Sequence, residues 1–123
     1  MEQKKSNQDL AILFFKALNS GDFTDVDPFI HPDVALDFPG AGRIEGSKRV
    51  RIFIKTLHRK FPVLVFKVNE VIVDGNQICA VWTNHGENLA REPYTNSGLT
   101  LFHLEHGKIT FISDYFKDTS FVK

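Results

Sequence analysis

The chain has 123 residues, 42% of them hydrophobic, and its fifteen basic and fifteen acidic side chains cancel. That length suits one domain with enough apolar material for a core, and the charge balance gives no bulk attraction to nucleic acid or an anionic membrane. A single cysteine, Cys79, excludes an internal disulfide, no apolar run is long enough to span a bilayer, and the start of the chain lacks the apolar core of a signal peptide. The cytoplasm is the expected compartment.

Residues 1–5 read as a solvated tail of a single domain covering residues 1–123. Ser6 is placed to cap a first helix, with Asp9 favouring its positive end and Leu10, Leu13, Phe14, Ala17 and Leu18 recurring at helical spacing. Asn19-Ser20-Gly21 ends it through a left-handed residue. Thr24 is placed to cap a short second helix with Val26, Phe29 and Ile30 inside, stopped by His31-Pro32. Residues 34–38 form a short strand, Pro39-Gly40-Ala41-Gly42 a loop, and Ser47 the cap of a third helix carrying Val50, Phe53, Ile54 and Leu57 up to Phe61-Pro62. On that helix Lys48, Arg51, Lys55 and Arg59 make a solvated stripe, or else a surface for an acidic partner.

From Val63 the pattern becomes that of strands. Residues 63–73 and 77–86 are joined by Asp74-Gly75-Asn76, a strong hairpin signal, and a polar excursion over 88–96 leads into a closing hairpin. Its arms are 99–104 and 109–116, its turn Glu105-His106-Gly107-Lys108, with Gly107 supplying positive φ. Alternation sets Thr110, Ile112, Asp114 and Phe116 on one face of the last strand, and Ile109, Phe111, Ser113 and Tyr115 on the other. Both faces are largely apolar. Such a strand needs covering twice, so helices are expected on one side and a second copy of the chain, in a homodimer, on the other. The order of elements predicts an α+β fold, three N-terminal helices packed on a curved antiparallel sheet, with a cavity on the concave side.

Asp114 is the leading candidate for chemistry, because a carboxylate among apolar side chains is costly unless paired or protonated. Asp37, in the short strand, is a second titrating group, and His85 a further general acid. Tyr94 and Asn96 can hydrogen-bond a ligand or simply fix their loop. Phe14, Trp82, Leu101, Ile112 and Phe116 are candidate walls. The five histidines make no metal signature, and the chain carries no phosphate loop, nucleophile elbow or dinucleotide fingerprint, so no metal or cofactor is expected. Cys79 reads as a small packed hydrophobe.

The run Phe14-Phe15-Lys16-Ala17-Leu18-Asn19-Ser20-Gly21-Asp22, followed by His31-Pro32-Asp33-Val34, Phe38-Pro39-Gly40 and Ile44-Glu45-Gly46, resembles the SnoaL-like branch of the nuclear transport factor 2-like superfamily. The end of the chain, with Tyr94-Thr95-Asn96, the run from Phe102 to Ile109, and Asp114-Tyr115-Phe116-Lys117-Asp118, resembles the closing hairpin of that branch. The resemblance implies a cone-shaped, cystatin-like roll. It leaves the activity open, since such proteins include ketosteroid isomerases, polyketide cyclases, epoxide hydrolases and dehydratases.

In the isomerase comparison the catalytic base corresponds to Asp37, or to Phe38 in an ungapped register from Pro39, while the oxyanion-hole tyrosine and protonated aspartic acid fall at Phe14 and near Leu99. Neither donor is present, so steroid isomerisation is not the expected reaction. The cyclase comparison implies an acid/base role for Asp114. Two readings follow: a cofactor-independent isomerase, cyclase, dehydratase or hydrolase acting on a small, partly apolar molecule, or a non-catalytic ligand-binding or dimeric interaction module.

Overall fold

The computed structural model describes residues 6–118. Residues 1–5, expected as a tail, lie outside them. Helix α1 spans Asn7–Ser20. Ser6 Oγ accepts the amide of Asp9 at 3.1 Å, and Gly21, at φ 79°, closes the helix by donating to the Ala17 carbonyl at 2.8 Å. Its buried stripe is Leu10, Ala11, Phe14, Phe15 and Ala17.

The expected second helix is not formed. Asp22 Oδ1, rather than Thr24, is the local acceptor, taking both the backbone amide (3.0 Å) and the hydroxyl (2.6 Å) of Thr24, and only a 3₁₀ turn, Asp27–Phe29, follows. Strand β1, Ile30–Phe38, starts immediately afterwards and runs through His31-Pro32. The described residues thus form two α-helices where three were expected. After β1 the chain doubles back into β2, Gly42–Glu45, a strand the sequence pattern does not predict and of which only Gly42 falls in the expected loop. Helix α2, Ser47–Lys60, begins with Ser47 inside it, Gly46 at φ 95° as its N-cap residue, and no side-chain cap.

Strands β3 (Val63–Asp74), β4 (Gln77–Glu87), β5 (Pro93–Glu105) and β6 (Lys108–Phe116) complete one six-stranded sheet in the order β2-β1-β6-β5-β4-β3. All neighbours are antiparallel except β1 and β6. The β5–β6 turn has both central residues, His106 (φ 51°) and Gly107 (φ 77°), in the left-handed region, which matches the twist of a two-residue hairpin. Both helices lie on one face of the sheet, α1 over β3 and β4, α2 over β1 and β2. The Asn19 side chain pins α1 to the edge strand, accepting the Phe66 amide at 2.7 Å and donating to the Phe66 carbonyl at 2.9 Å.

A bulge in the closing hairpin decides what faces the helices. Glu105 pairs with Lys108 and Leu104 with Ile109, but His103 pairs with Phe111, so Thr110 is an extra residue and every later pair shifts by one. Phe102 therefore meets Ile112, Thr100 meets Asp114, and Gly98 meets Phe116. Ile109 and Ile112 both enter the core, at 0% and 1% exposure, which corrects the simple alternation that set Ile109 on the outer face. Gly98 lies between the rungs of Trp82 and Phe116, where a Cβ would stand 2.1 Å from the Tyr115 carbonyl oxygen, so only glycine admits this approach of β6.

Candidate functional site

The helices do not fill the concave side. A cavity of about 80 Å³ remains between α1, α2 and the sheet, several times the space that about one water needs. Phe14, Phe15 and Leu18 of α1 wall it on one side and Val50, Ile54 and Leu57 of α2 on another, while the sheet supplies Leu36, Phe38, Trp82, Ile112 and Phe116. The walls are largely aromatic: Phe38 stacks on Phe53 and Phe116 with ring centroids 5.0 and 5.4 Å apart, and Phe66 meets Trp82 at 5.0 Å. Polar side chains at the cavity are few, namely His58, Asn84, Tyr94, Asn96, Thr100 and Asp114.

Three of the residues around the cavity form a chain. The Trp82 indole Nε1–H donates to Thr100 Oγ1 at 2.9 Å, and the Thr100 hydroxyl donates to Asp114 Oδ1 at 2.6 Å. Strand register creates this geometry, since Thr100 is opposite Asp114 on β6 and next to the Trp82 rung on β4. Loss of water around the carboxyl pushes the Asp114 pKa up to about 6, and the Thr100 hydroxyl, which favours the ionised form, opposes that rise. Asp114 thus titrates within reach of neutral pH.

Further along β5, Asn96 Nδ2 donates to Tyr94 Oη at 2.8 Å and to the Asp118 carbonyl at 2.9 Å, which ties the end of β6 to the cavity rim. Tyr94 stacks on Phe61 at 4.7 Å, and burial raises its phenol pKa above the usual value, the bond from Asn96 pulling the other way. Asn84 is 7% exposed, and its Oδ1 is buried without a hydrogen-bond partner among the described residues. Such a group is costly to leave unmet.

Of the residues singled out from the sequence, Phe14, Trp82, Tyr94, Asn96, Ile112, Asp114 and Phe116 line the cavity. Asp37, His85 and Leu101 do not. Asp37 is exposed, because β1 turns Leu36 and Phe38 inward and the residue between them outward. His85 is exposed by the same alternation, which sends Trp82 and Asn84 inside. Leu101 is on the outer face because the bulge at Thr110 reverses the parity of the hairpin.

The structure also adds Thr100, Asn84 and His58 to the cavity wall. Asn84 was legible, since two residues apart on a strand puts it on the same face as Trp82. Thr100 was not, since its partnership depends on the bulge. Among the described residues no cluster of histidine, cysteine or acidic side chains is arranged to hold a metal.

Two helices on one face of a curved, mostly antiparallel sheet make this an α+β roll of the NTF2-like class. Residues 12–112 match the SnoaL-like domain family, and the chain belongs to it. No curated protein matches the chain. Among solved structures, an NTF2-like protein of unknown function from Cytophaga hutchinsonii is 23% identical with TM-score 0.78, all of both chains being covered. TerC, crystallised with polyporic acid, is 18% identical with TM-score 0.83 over 94% of each chain. AclR, a putative hydroxylase from Streptomyces galilaeus, is 12% identical with TM-score 0.77, covering 94% of this chain and 81% of its own. At these identities the likeness is one of fold.

Proposed function

We propose that the cavity binds a compact, partly apolar molecule and that Asp114 exchanges a proton with it, in a cofactor-independent isomerisation, cyclisation, dehydration or hydrolysis. The observation that carries this reading is the placement of Asp114: a carboxyl at an aromatic cavity, raised to about 6, with one oxygen held by Thr100 and no hydrogen bond to the other among the described residues. A group with that pKa is available in both protonation states near pH 7, which suits general acid/base work. Asp37 and His85 have no part in it, being exposed and absent from the cavity wall. The crystallisation of TerC with polyporic acid supports the fold as a container for small molecules.

The test is a thermal-shift screen of small cyclic ketones, phenols and epoxides, followed by product analysis of those that raise the melting temperature. Asp114→Asn is expected to keep binding and abolish turnover. A wild-type protein that binds such compounds and returns them unchanged fits the second reading, a ligand-binding module, which the orphaned Asn84 oxygen favours as a feature built for a ligand rather than for proton transfer. Turnover unaffected by Asp114→Asn, or an unshifted carboxyl titration in the wild type, overturns the acid/base role.

The proposal includes a homodimer through the outer sheet face. Leu99, Leu101, Phe111 and Val81 are only half-buried there, and Tyr115 is 55% exposed. A protein that sediments as a monomer at micromolar concentration counts against it.

A further inference from the structure

We infer that Trp82 and Thr100 act as positioning residues that make Asp114 a one-sided acid: Oδ1 is committed as an acceptor, so the proton enters and leaves through Oδ2 alone, toward the cavity. The inference rests on the acid/base reading of the cavity. Its basis is the directionality of the hydrogen bonds. An indole N–H only donates, so Thr100 Oγ1 must accept from Trp82, and the single hydroxyl proton of Thr100 is then free to point only elsewhere. The acceptor it finds is Asp114 Oδ1, at 2.6 Å.

Placing the acid proton on Oδ1 would reverse the second bond. Thr100 would then accept twice, and its own proton would have no acceptor in a site where the residue is 1% exposed. With the proton on Oδ2 every partner is satisfied. Oδ2 makes no hydrogen bond among the described residues, and Asp114 lines the cavity.

The step this permits is simple. The O–H bond at Oδ2 breaks, its electron pair stays on Oδ2, and an O–H bond forms on an acceptor oxygen of the ligand, a carbonyl, ether or epoxide. The carboxylate left behind keeps the Thr100 donor at Oδ1, polarised in turn by Trp82. The ligand class selected at this end of the cavity is therefore one that offers an acceptor oxygen to the protonated form. Among the described residues lining the cavity, the other titratable groups are His58 of α2 and Tyr94 of β5, while α1 and β1 contribute apolar side chains there.

The experiment needs no ligand. Asp114 is followed by ¹³C-carboxyl NMR against pH in the wild type, Trp82→Phe, Thr100→Val and Thr100→Ser, with the indole N–H of Trp82, the only tryptophan, observed in parallel. In the wild type the indole resonance is expected to titrate with the midpoint of the Asp114 carboxyl, and that titration is expected to vanish in Asp114→Asn, which separates it from His58. Trp82→Phe weakens the donor to the carboxylate and frees Thr100 to accept from a protonated Oδ1, so the Asp114 midpoint is expected to rise by roughly half a unit to one unit. Thr100→Val is expected to raise it as well, and Thr100→Ser to leave it near the wild-type value.

An indole that does not follow Asp114 overturns the relay, as does an unchanged or lower midpoint in Trp82→Phe. Should Trp82→Phe fail to fold, the wild-type indole titration and the Thr100 pair decide. A relay that fails while the wild-type carboxyl still titrates near 6 leaves the acid/base reading standing. A wild-type carboxyl in the usual range overturns that reading itself.

Discussion

The two faces of the β4–β5–β6 sheet use similar side chains to different ends. Inside, Ile78, Ala80, Trp82, Phe102, Leu104 and Ile112 are each at most 3% exposed, and the polar groups among them are held by directed bonds from Trp82 through Thr100 to Asp114. Outside, Leu99, Leu101, His103 and Phe111 are half-buried, with Arg43 lying 5.5 Å over the Phe111 ring and His103 5.2 Å from it. One face is a finished interior with a cavity left in it. The other is an apolar surface with loosely placed polar groups, of the sort a partner covers. The difference places the packed core on the inner face, together with the proposed proton transfer, and leaves the outer face for the proposed homodimer.

The largest effect that can break this comparison comes from the inner aromatic layer. Phe14 is 4% exposed and packs against Phe15, Phe23 and Phe102, so Phe14→Ala is expected to cost about 3–5 kcal/mol by denaturant unfolding. A loss below about 1 kcal/mol would mean that this layer does not carry the fold.

Next is Asp114 itself, whose burial makes it a stability liability. Its folded pKa of about 6 lies above the value of an unfolded aspartate, so the folded state binds more protons between about pH 4 and 6, and stability falls as pH rises through that window. Above it the ionised carboxyl costs on the order of 3 kcal/mol. Asp114→Asn is therefore expected to stabilise the protein at pH 7 to 8, with the gain shrinking as pH is lowered toward about 4. Unfolding curves at several pH values check the sign, and a variant less stable than wild type at pH 8 would contradict it.

On the outer face a charge should act on assembly rather than on folding. Leu101→Asp is expected to shift sedimentation from dimer to monomer, and a dimer that survives it would move the interface elsewhere. The smallest effect is expected where neither face is involved. Arg51 pairs with Asp27, tying α2 to the turn before β1, and both side chains are 39% exposed. Asp27→Asn should cost less than about 1 kcal/mol, the ordinary value of a pair open to solvent.

Much of the inner face was legible from local rules. Ser6 and Gly21 delimit α1 because their side chain and backbone satisfy the helix ends without help from elsewhere. The β3–β4 and β5–β6 hairpins follow from turn residues whose backbone preferences are intrinsic. Asp114, Trp82 and Phe14 stood out because a carboxyl or a large ring in an apolar pattern has few places to go. The segment between α1 and β1 was misread for the converse reason: Thr24 and Asp22 compete for the same capping geometry, and Asp22 wins a turn where a helix was expected. Asp37, His85 and Leu101 were misplaced through parity, which one residue suffices to invert.

By itself the sequence determined the family, the order of hairpins and the presence of an acid in an apolar strand, because these depend on contacts within a few residues or on a pattern spread along the whole chain. Only the tertiary structure decided what that acid touches. The extra residue at Thr110 shifts β6 by one place against β5, setting Thr100 opposite Asp114 and turning Leu101 to the outside. Nothing local to Asp114 encodes that pairing. It is settled where two strands and two helices close on a common core, since burying Ile109 and Ile112 together requires the bulge between them.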